Sequence, residues 1–459
     1  MNKVAIIICN YNKQEYLMKC LQSVLQSKDV KCDIYVIDNA STDNSVEIIN
    51  REYKNKVELI VNEKNKGGSG GFNTGIKKAL RKDYKYLMLL DNDVILEKNA
   101  IKASFDYLEK NEDIAVVGSK IYSMDNPNQI QELGANVDFE NYSITPFYKG
   151  YKDVEKIPEV VECHYVPACA MMIRVSAIKK VGLMAEENFI YWDDIEWGYR
   201  FISNGYRVVA YSKSIVWHKM GVGQKINTFG TYYFWRNRVR FFIKYIEKEE
   251  IERFITKISD EVFQAIFMCN YLGKYNSAKA ICYALEDALN NITGKAQEDR
   301  IMLLEEQQDR FAAILNNKSS ILIFNNSDIS TLRNLVNKIK EYNIKITIYD
   351  KYKKLSIGNQ FDNVEIINDK EKVLLNNYDL ICNTCYHILD IGANYEQINK
   401  NGIYVDRYLN VAHGSEDISN ILNYDLNYNL LKNIWFPILL NKAYKLKNDE
   451  SFGRMINEI

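Results

Sequence analysis

The chain has 459 residues, 47% of them apolar and 26% charged, which suffices for two or three domains with their own cores. A net charge of −1 does not imply long-range steering toward nucleic acid, although it leaves room for local basic patches, and no nucleic-acid partner is expected. Val4 to Cys9 is too short an apolar run for a signal peptide, no run reaches membrane-spanning length, and the nine cysteines lack the spacing of a disulfide scaffold, all of which predicts a cytoplasmic protein.

Val4 to Cys9 is a strand, followed by a loop at Asn10 to Lys13 and a helical pattern through Leu17, Cys20, Leu21, Val24 and Leu25. Ile34 to Ile37 is a second strand ending in Asp38-Asn39-Ala40-Ser41, and Thr42 or Asp43 then caps a helix containing Val46, Ile48 and Ile49. Val57 to Val61 is a third strand, a third helix begins at Asn73, and Tyr86 to Leu90 is a fourth strand. Apolar strands separated by helices predict an α/β fold with a mostly parallel sheet covered on both faces. Ligands of such sheets sit beyond the carboxyl ends of the strands. Four polar loops share that address: Asn10-Tyr11-Asn12, Asp38-Asn39, Asn62 to Gly71, and Asp91-Asn92-Asp93. Asp91 and Asp93 make a good turn, and they equally offer oxygen ligands to a hard divalent cation carrying phosphates.

Further along, Ile114 to Asp138 is less regular, Asp153 to Val161 is a loop, and Tyr165 to Arg174 is buried. Tyr206 to Trp217 is a strand, and Tyr232 to Glu250 opens a helical region reaching Leu289. Ile321 to Asn325, Ile344 to Tyr349, Val364 to Ile367 and Tyr378 to Cys382 are strands of a second small α/β domain. Ile434 to Leu440, beside Lys442, Lys445 and Lys447, fits either a buried final helix or a membrane-surface contact.

The Gly-rich run Asn65-Lys66-Gly67-Gly68-Ser69-Gly70-Gly71-Phe72-Asn73 lacks the Gly-Lys-Ser/Thr of an ATPase loop and follows the wrong strand for a dinucleotide fingerprint. It is either a flexible loop or a clamp over a sugar or diphosphate. Asp193, Asp194 and Glu196, framed by Trp192 and Trp197, fit a helix start or an acid that deprotonates an acceptor hydroxyl, with the Trp rings against a sugar face. His218, at a strand end, is structural or joins the two carboxylates on Mn²⁺ or Mg²⁺. Lys219 and Gly221-Val222-Gly223 would flank departing phosphates, and Arg236, Arg238 and Arg240 fit an acceptor contact or a solvated helix face.

Together these residues resemble the family 2 glycosyltransferases with a GT-A fold, over roughly residues 1 to 245. The resemblance implies that Tyr11 stacks on the donor base, with Asn10, Asp38, Asn39, Asn65, Lys66, Gly67, Gly68, Asn92 and Trp192 also on the donor side. It implies Asp91, Asp93 and His218 as metal ligands (Asp91 also near the ribose), and Asp194 as the base, with Asp193 and Glu196 contacting or orienting the acceptor. The Gly67 to Phe72 run and Trp192-Asp193-Asp194 are most similar to galactofuranosyltransferases, with rhamnosyltransferases of surface polysaccharides the competing resemblance; Cys9 stands where many relatives have Thr or Ser. The implied reaction is inverting transfer from a UDP-sugar or dTDP-sugar to a glycan or polyprenyl-diphosphate-linked glycan. A phosphosugar-binding protein or nucleotidyltransferase would also use strand-end acids, without needing the Trp-framed helix start. The expected domains are a catalytic domain at 1–245, a helical extension at 246–317 and a small α/β domain at 318–459, the last open to homo-oligomerisation, acceptor binding or contact with the inner face of the membrane.

Overall fold

The computed structural model describes residues 3–27, 29–152, 157–219, 226–350, 361–369, 373, 377–393 and 402–453. The chain forms two compact units, one of Met1–Asn270, Tyr275–Leu304 and Ile438–Ile459, the other of Tyr271–Lys274 and Glu305–Pro437.

The first unit opens with the expected alternation: β1 (Val4–Asn10), α1 (Gln14–Gln26), β2 (Cys32–Asp38), α2 (Ser45–Ile48) and β3 (Glu58–Val61). It continues with α3 (Gly67–Ala79) and β4 (Tyr86–Asp91). Leu17, Cys20, Leu21 and Val24 fall on one face of α1 and are buried, as their spacing requires. β1 runs parallel between β2 and β4, with Asn10 level with Asp38 and Cys9 level with Asp91. This register matters for the site, because it brings three polar strand ends to one edge.

After β5 (Val94–Leu96), α4 (Ala100–Lys110), β6 (Ile114–Ser123), β7 (Ile130–Glu132) and the hairpin β8 (Ala135–Asp138) and β9 (Ser143–Pro146), the chain forms β10 (Val160–Glu162) and β11 (Ala170–Arg174). Next come α5 (Val175–Val181), α6 (Asp193–Ser203) and β12 (Arg207–His218). The sheet order is β10-β12-β6-β11-β4-β1-β2-β3, with β5 on β12 and β7 on β6. β11 is antiparallel to both β4 and β6, so the sheet is mixed beyond its parallel half. Helices α7 (Phe229–Tyr245), α8 (Ile251–Tyr271) and α9 (Tyr275–Leu289) follow.

The Gly-rich run is not a loop: Gly67 to Gly71 form the first turns of α3. A Cβ on Gly71 would lie 2.4 Å from the Cys9 sulfur, and one on Gly75 would lie 2.4 Å from Ile7 Cγ2. The glycines therefore allow close packing of α3 on the sheet, which offsets their poor helix propensity. Gly67 has φ 76°, and a Cβ there would meet the Phe189 carbonyl at 2.0 Å.

The second unit holds α10 (Arg310–Leu315), β13 (Ser320–Phe324), α11 (Ile329–Ile339), β14 (Lys345–Tyr349), β15 (Glu365–Ile367), β16 (Leu380–Thr384), β17 (Gly402–Val405) and β18 (Val411–His413). Its order β15-β14-β13-β16-β17-β18 is parallel except at the last strand. Helix α12 (Gly414–Leu422) and the part of α13 (Tyr424–Lys447) up to Pro437 close it, the rest of α13 belonging to the first unit. Leu426, Leu430 and Ile434 are 57–63% exposed at four-residue spacing, so this stretch is not a buried helix. Among the described residues, the nine cysteines form no disulfide. Among the described residues, no helix is long and apolar enough to cross a membrane.

Candidate active site

The carboxyl ends of β1, β2 and β4 are fastened to one another by amides. Asn92 Nδ2 donates to Asn10 Oδ1 at 2.6 Å, and Asn10 Nδ2 donates to Asp38 Oδ2 at 2.9 Å. Asp38 also accepts from the Ser41 N–H. Asn12 Oδ1 takes the N–H groups of Thr42 and Asp43, so the loops after β1 and β2 move as one. Tyr11 projects from this platform with 45% of its surface exposed, a ring free to stack.

Asn39 is buried and its amide is wholly engaged: it donates to Asn65 Oδ1 and the Gly67 carbonyl, and accepts from Asn62 and the Lys66 N–H. It fixes the entry to α3, along with Asn65, Lys66 and Gly67. Gly68 lies beside the Asp193 carboxylate; a Cβ there would be 3.4 Å from its Oδ2.

Asp91, Asp93 and His218 offer ligand atoms that all lie within 4.8 Å of one another. His218 Nε2 is 3.4 Å from Asp93 Oδ1 and 3.9 Å from Asp91 Oδ2. Two carboxylates and an imidazole form a donor set suited to Mn²⁺ or Mg²⁺. Burial, then the Asp93 charge, pushes the Asp91 carboxyl up to about 6. Burial also works against Asp93, but His218 and Lys13 outweigh it and hold that carboxyl below its ordinary value. Crowded like charges of this kind are what a bound cation relieves, so the residues fit a metal. Lys13 Nζ sits 2.5 Å from Asp93 Oδ2 and supplies the local positive charge. Gln131 Nε2 lies 3.0 Å from His218 Nδ1 and sets the ring, as the outer partner of a ligating histidine does.

The proton on Asp91 gives a pH test with a definite sign. Cation binding must displace that proton below about pH 6. Mn²⁺ affinity is therefore expected to weaken as the pH is lowered through about 6. Titration calorimetry across the range checks this, and a pH-independent affinity would refute it.

The acidic helix start is built by strain and held by α7. Phe189, Tyr191 and Trp192 have φ of 66°, 60° and 64°, a left-handed cluster that non-glycine residues adopt at a cost. Asn237 Nδ2 donates to the carbonyls of Asn188, Ile190 and Tyr191 at 2.8–2.9 Å, and Arg236 adds a bond to Asn188. The turn delivers Asp193 and Asp194 to the N-terminus of α6. Ala168 N–H donates to Asp194 Oδ2 at 3.2 Å, and the next residue, Cys169, accepts the Asp91 N–H at 3.1 Å. Adjacent residues thus tether Asp194 and Asp91. Burial raises Asp194 against the N–H groups of Ala168 and Ile195, and raises Asp193 together with the charge of Asp194.

Several expectations are corrected. Trp192 and Trp197 are 2% and 1% exposed. Trp192 packs on Phe234, Phe241 and Phe242, and Trp197 donates to the Gly182 carbonyl, so neither ring is open to a sugar. Glu196 is buried, with its oxygens held by Arg200, Lys244 and Tyr245. Burial alone would raise that carboxyl, but the two cations hold it below its ordinary value. Arg236, Arg238 and Arg240 are buried and bond to Asn188, Tyr142 and Asn291. They form neither a solvated face nor an acceptor contact. Gly221 to Gly223 lie outside the described residues. Lys13, Gln131 and Asn237 were not anticipated; only Lys13, beside the first polar loop, had a strand-end address.

A mixed sheet carrying an acid-histidine corner beyond one strand, with a second acid pair at the start of α6, has the layout of an α/β GT-A-like domain. Residues 5–182 match the model of Glycosyl transferase family 2. The chain is 29% identical over 211 residues to an uncharacterised glycosyltransferase of Methanocaldococcus jannaschii, covering 44% of this chain and 66% of the relative. It is 26% identical over 163 residues to the chondroitin synthase of Escherichia coli, covering 35% of this chain and 22% of the synthase. A crystal structure of GalNAc-T7 with UDP, GalNAc and Mn²⁺ aligns at 16% identity and a TM-score of 0.45, covering 56% of this chain and 51% of that one. The chain thus spans less than two thirds of these relatives' own lengths.

Proposed function

We propose that the protein is an inverting, metal-dependent glycosyltransferase that moves galactofuranose from UDP-galactofuranose to a hydroxyl of a glycan or polyprenyl-diphosphate-linked glycan in cell-surface polysaccharide synthesis. The observation that carries this reading is the link through Ala168 and Cys169, which sets the metal corner and Asp194 side by side.

Tyr11 stacks on the donor base, Asp38 reads its edge, and Asn10 and Asn92 hold the two loops in register. Asp91, Asp93 and His218 hold the divalent cation, which when bound neutralises charge gathering on the departing diphosphate. Asp194 takes the proton from the acceptor hydroxyl as that oxygen attacks the anomeric carbon from the face opposite the nucleotide. Asp193, next to Gly68, orients the acceptor, and Glu196 positions the helix through its cations. The catalytic domain corresponds to residues 1–245. The exposed Leu426, Leu430 and Ile434 are a face through which the C-terminal region meets a second copy or the inner membrane surface.

A competition panel tests the reading. UDP-galactofuranose, UDP-hexopyranoses and dTDP-rhamnose are offered with Mn²⁺ and a lipid-linked glycan acceptor, and release of free nucleotide is measured. Acceptor-dependent release is expected with UDP-galactofuranose; release with dTDP-rhamnose alone makes the protein a rhamnosyltransferase, and release with none refutes transfer from these donors.

A further inference from the structure

Among the described residues, a pocket of about 280 Å³ opens where β8, β10, the end of α6 and the start of β12 meet. Asn136, Glu162, His164, Ile202, Tyr206 and Arg207 line it, and no step above uses any of them. Arg207 begins β12 and His218 ends it, so roughly 35 Å of strand separates this pocket from the metal corner.

The polar groups of the pocket are fixed in direction and only partly engaged. The His164 N–H donates to Asn136 Oδ1 at 3.0 Å, and the Val137 N–H donates to His164 Nδ1 at 3.0 Å. A neutral imidazole that accepts at Nδ1 carries its proton on Nε2. Burial holds this ring below its ordinary value, which keeps it neutral. Among the described residues, His164 Nε2, Asn136 Nδ2 and the Tyr206 hydroxyl have no hydrogen-bond partner. Arg207 pairs with Asp113 at 2.7 Å and with Glu162, and Lys180 Nζ lies 5.1 Å from the centre of the Tyr206 ring. Two cations against two carboxylates leave no surplus charge for a phosphate or a uronate. Ile202 supplies apolar surface, and Tyr206 joins an apolar body to a polar tip. Small-molecule pockets run to roughly 300–1,000 Å³, so this one has room for a single ring and not for a nucleotide sugar.

We propose that this pocket is a second saccharide site, which takes one neutral sugar residue of a glycan. The sugar's hydroxyls meet His164 Nε2, Asn136 Nδ2 and the Tyr206 hydroxyl, and its C–H face meets Ile202 and the Tyr206 ring. A neutral polyol asks for donors and acceptors without net charge beside one apolar surface, and the pocket offers that set. The inference does not rest on the transfer reading, because binding here needs neither nucleotide nor metal.

The chain has four histidines, so the ring resonances of full-length protein labelled with ¹⁵N-histidine report on the site individually. His164→Gln assigns the His164 signals. Methyl β-D-galactofuranoside, methyl α-D-galactopyranoside and methyl α-L-rhamnoside are titrated separately, without nucleotide or Mn²⁺. At least one should shift the His164 signals saturably and leave those of His218 in place. Asn136→Asp keeps an acceptor for the His164 N–H and removes the amide donor. It should weaken binding about tenfold, the worth of one hydrogen bond. Tyr206→Ala removes ring and hydroxyl together and should abolish binding. His164 signals unmoved by all three sugars overturn the proposal, as does binding undiminished in both variants. A shift produced by uridine and by none of the sugars makes the occupant a nucleobase and overturns the saccharide assignment. An enzyme that transferred none of these sugars would leave the result unchanged, so the two readings fail separately.

Discussion

Asp194→Asn is expected to lose transfer by about 10²- to 10⁴-fold, the range over which a positioned general base acts. The substitution keeps the size and planarity of the side chain, and its oxygen can still accept from the Ala168 N–H. What disappears is the ability to take a proton. Donor and Mn²⁺ affinities should hold, because Asp91, Asp93 and His218 lie on β4, the turn after it and β12, none of them contributed by α6. Asp91→Ala gives the converse pattern, with metal-dependent donor binding impaired. Single-turnover transfer alongside calorimetric titration of UDP and Mn²⁺ separates the two. Near-normal transfer by Asp194→Asn would move the base elsewhere, and an equal loss of metal and donor affinity would make Asp194 a structural acid.

The parallel half of the sheet was legible because a strand buried on both faces is a continuous apolar run: Tyr86 to Leu90 are all fully buried. Its strand-end polar loops were legible for the same reason, since the fold rule assigns them one edge. β6 is buried from Ile114 to Tyr122, yet Gly118, Ser119 and Lys120 interrupt its apolar pattern. Gly118 is there because a Cβ would lie 2.4 Å from Val166 Cβ, a tertiary contact that no local pattern announces. The Gly-rich helix was misjudged on the same ground: propensity argued for a loop, and close packing against Cys9 and Ile7 prevailed. The reading of the Trp-framed acids rested partly on a wrong reason. Composition placed both rings against a sugar, whereas the left-handed turn swings Trp192 into the core of α7 and leaves Asp193 and Asp194 at the helix start.

That turn is where the second large effect falls. Asn237→Ala removes one amide that serves three carbonyls, at Asn188, Ile190 and Tyr191, all within a segment holding three residues at positive φ. Loss of these three hydrogen bonds, plus release of the strained backbone, should cost about 3 kcal/mol in urea unfolding. The cost should also appear in catalysis. Once the turn relaxes, Asp194 is no longer fixed at the start of α6, and about a 10- to 100-fold loss of kcat is expected from misplacement alone. Mn²⁺ affinity measured well below the unfolding transition should stay within twofold, because no ligand of the metal corner rests on this turn. Loss of stability with kcat intact would mean that Asp194 is held by Ala168 without help from α7. A matching fall in Mn²⁺ affinity would mean that the turn supports both halves of the site, and the assignment of Asn237 to the acceptor side alone would fail.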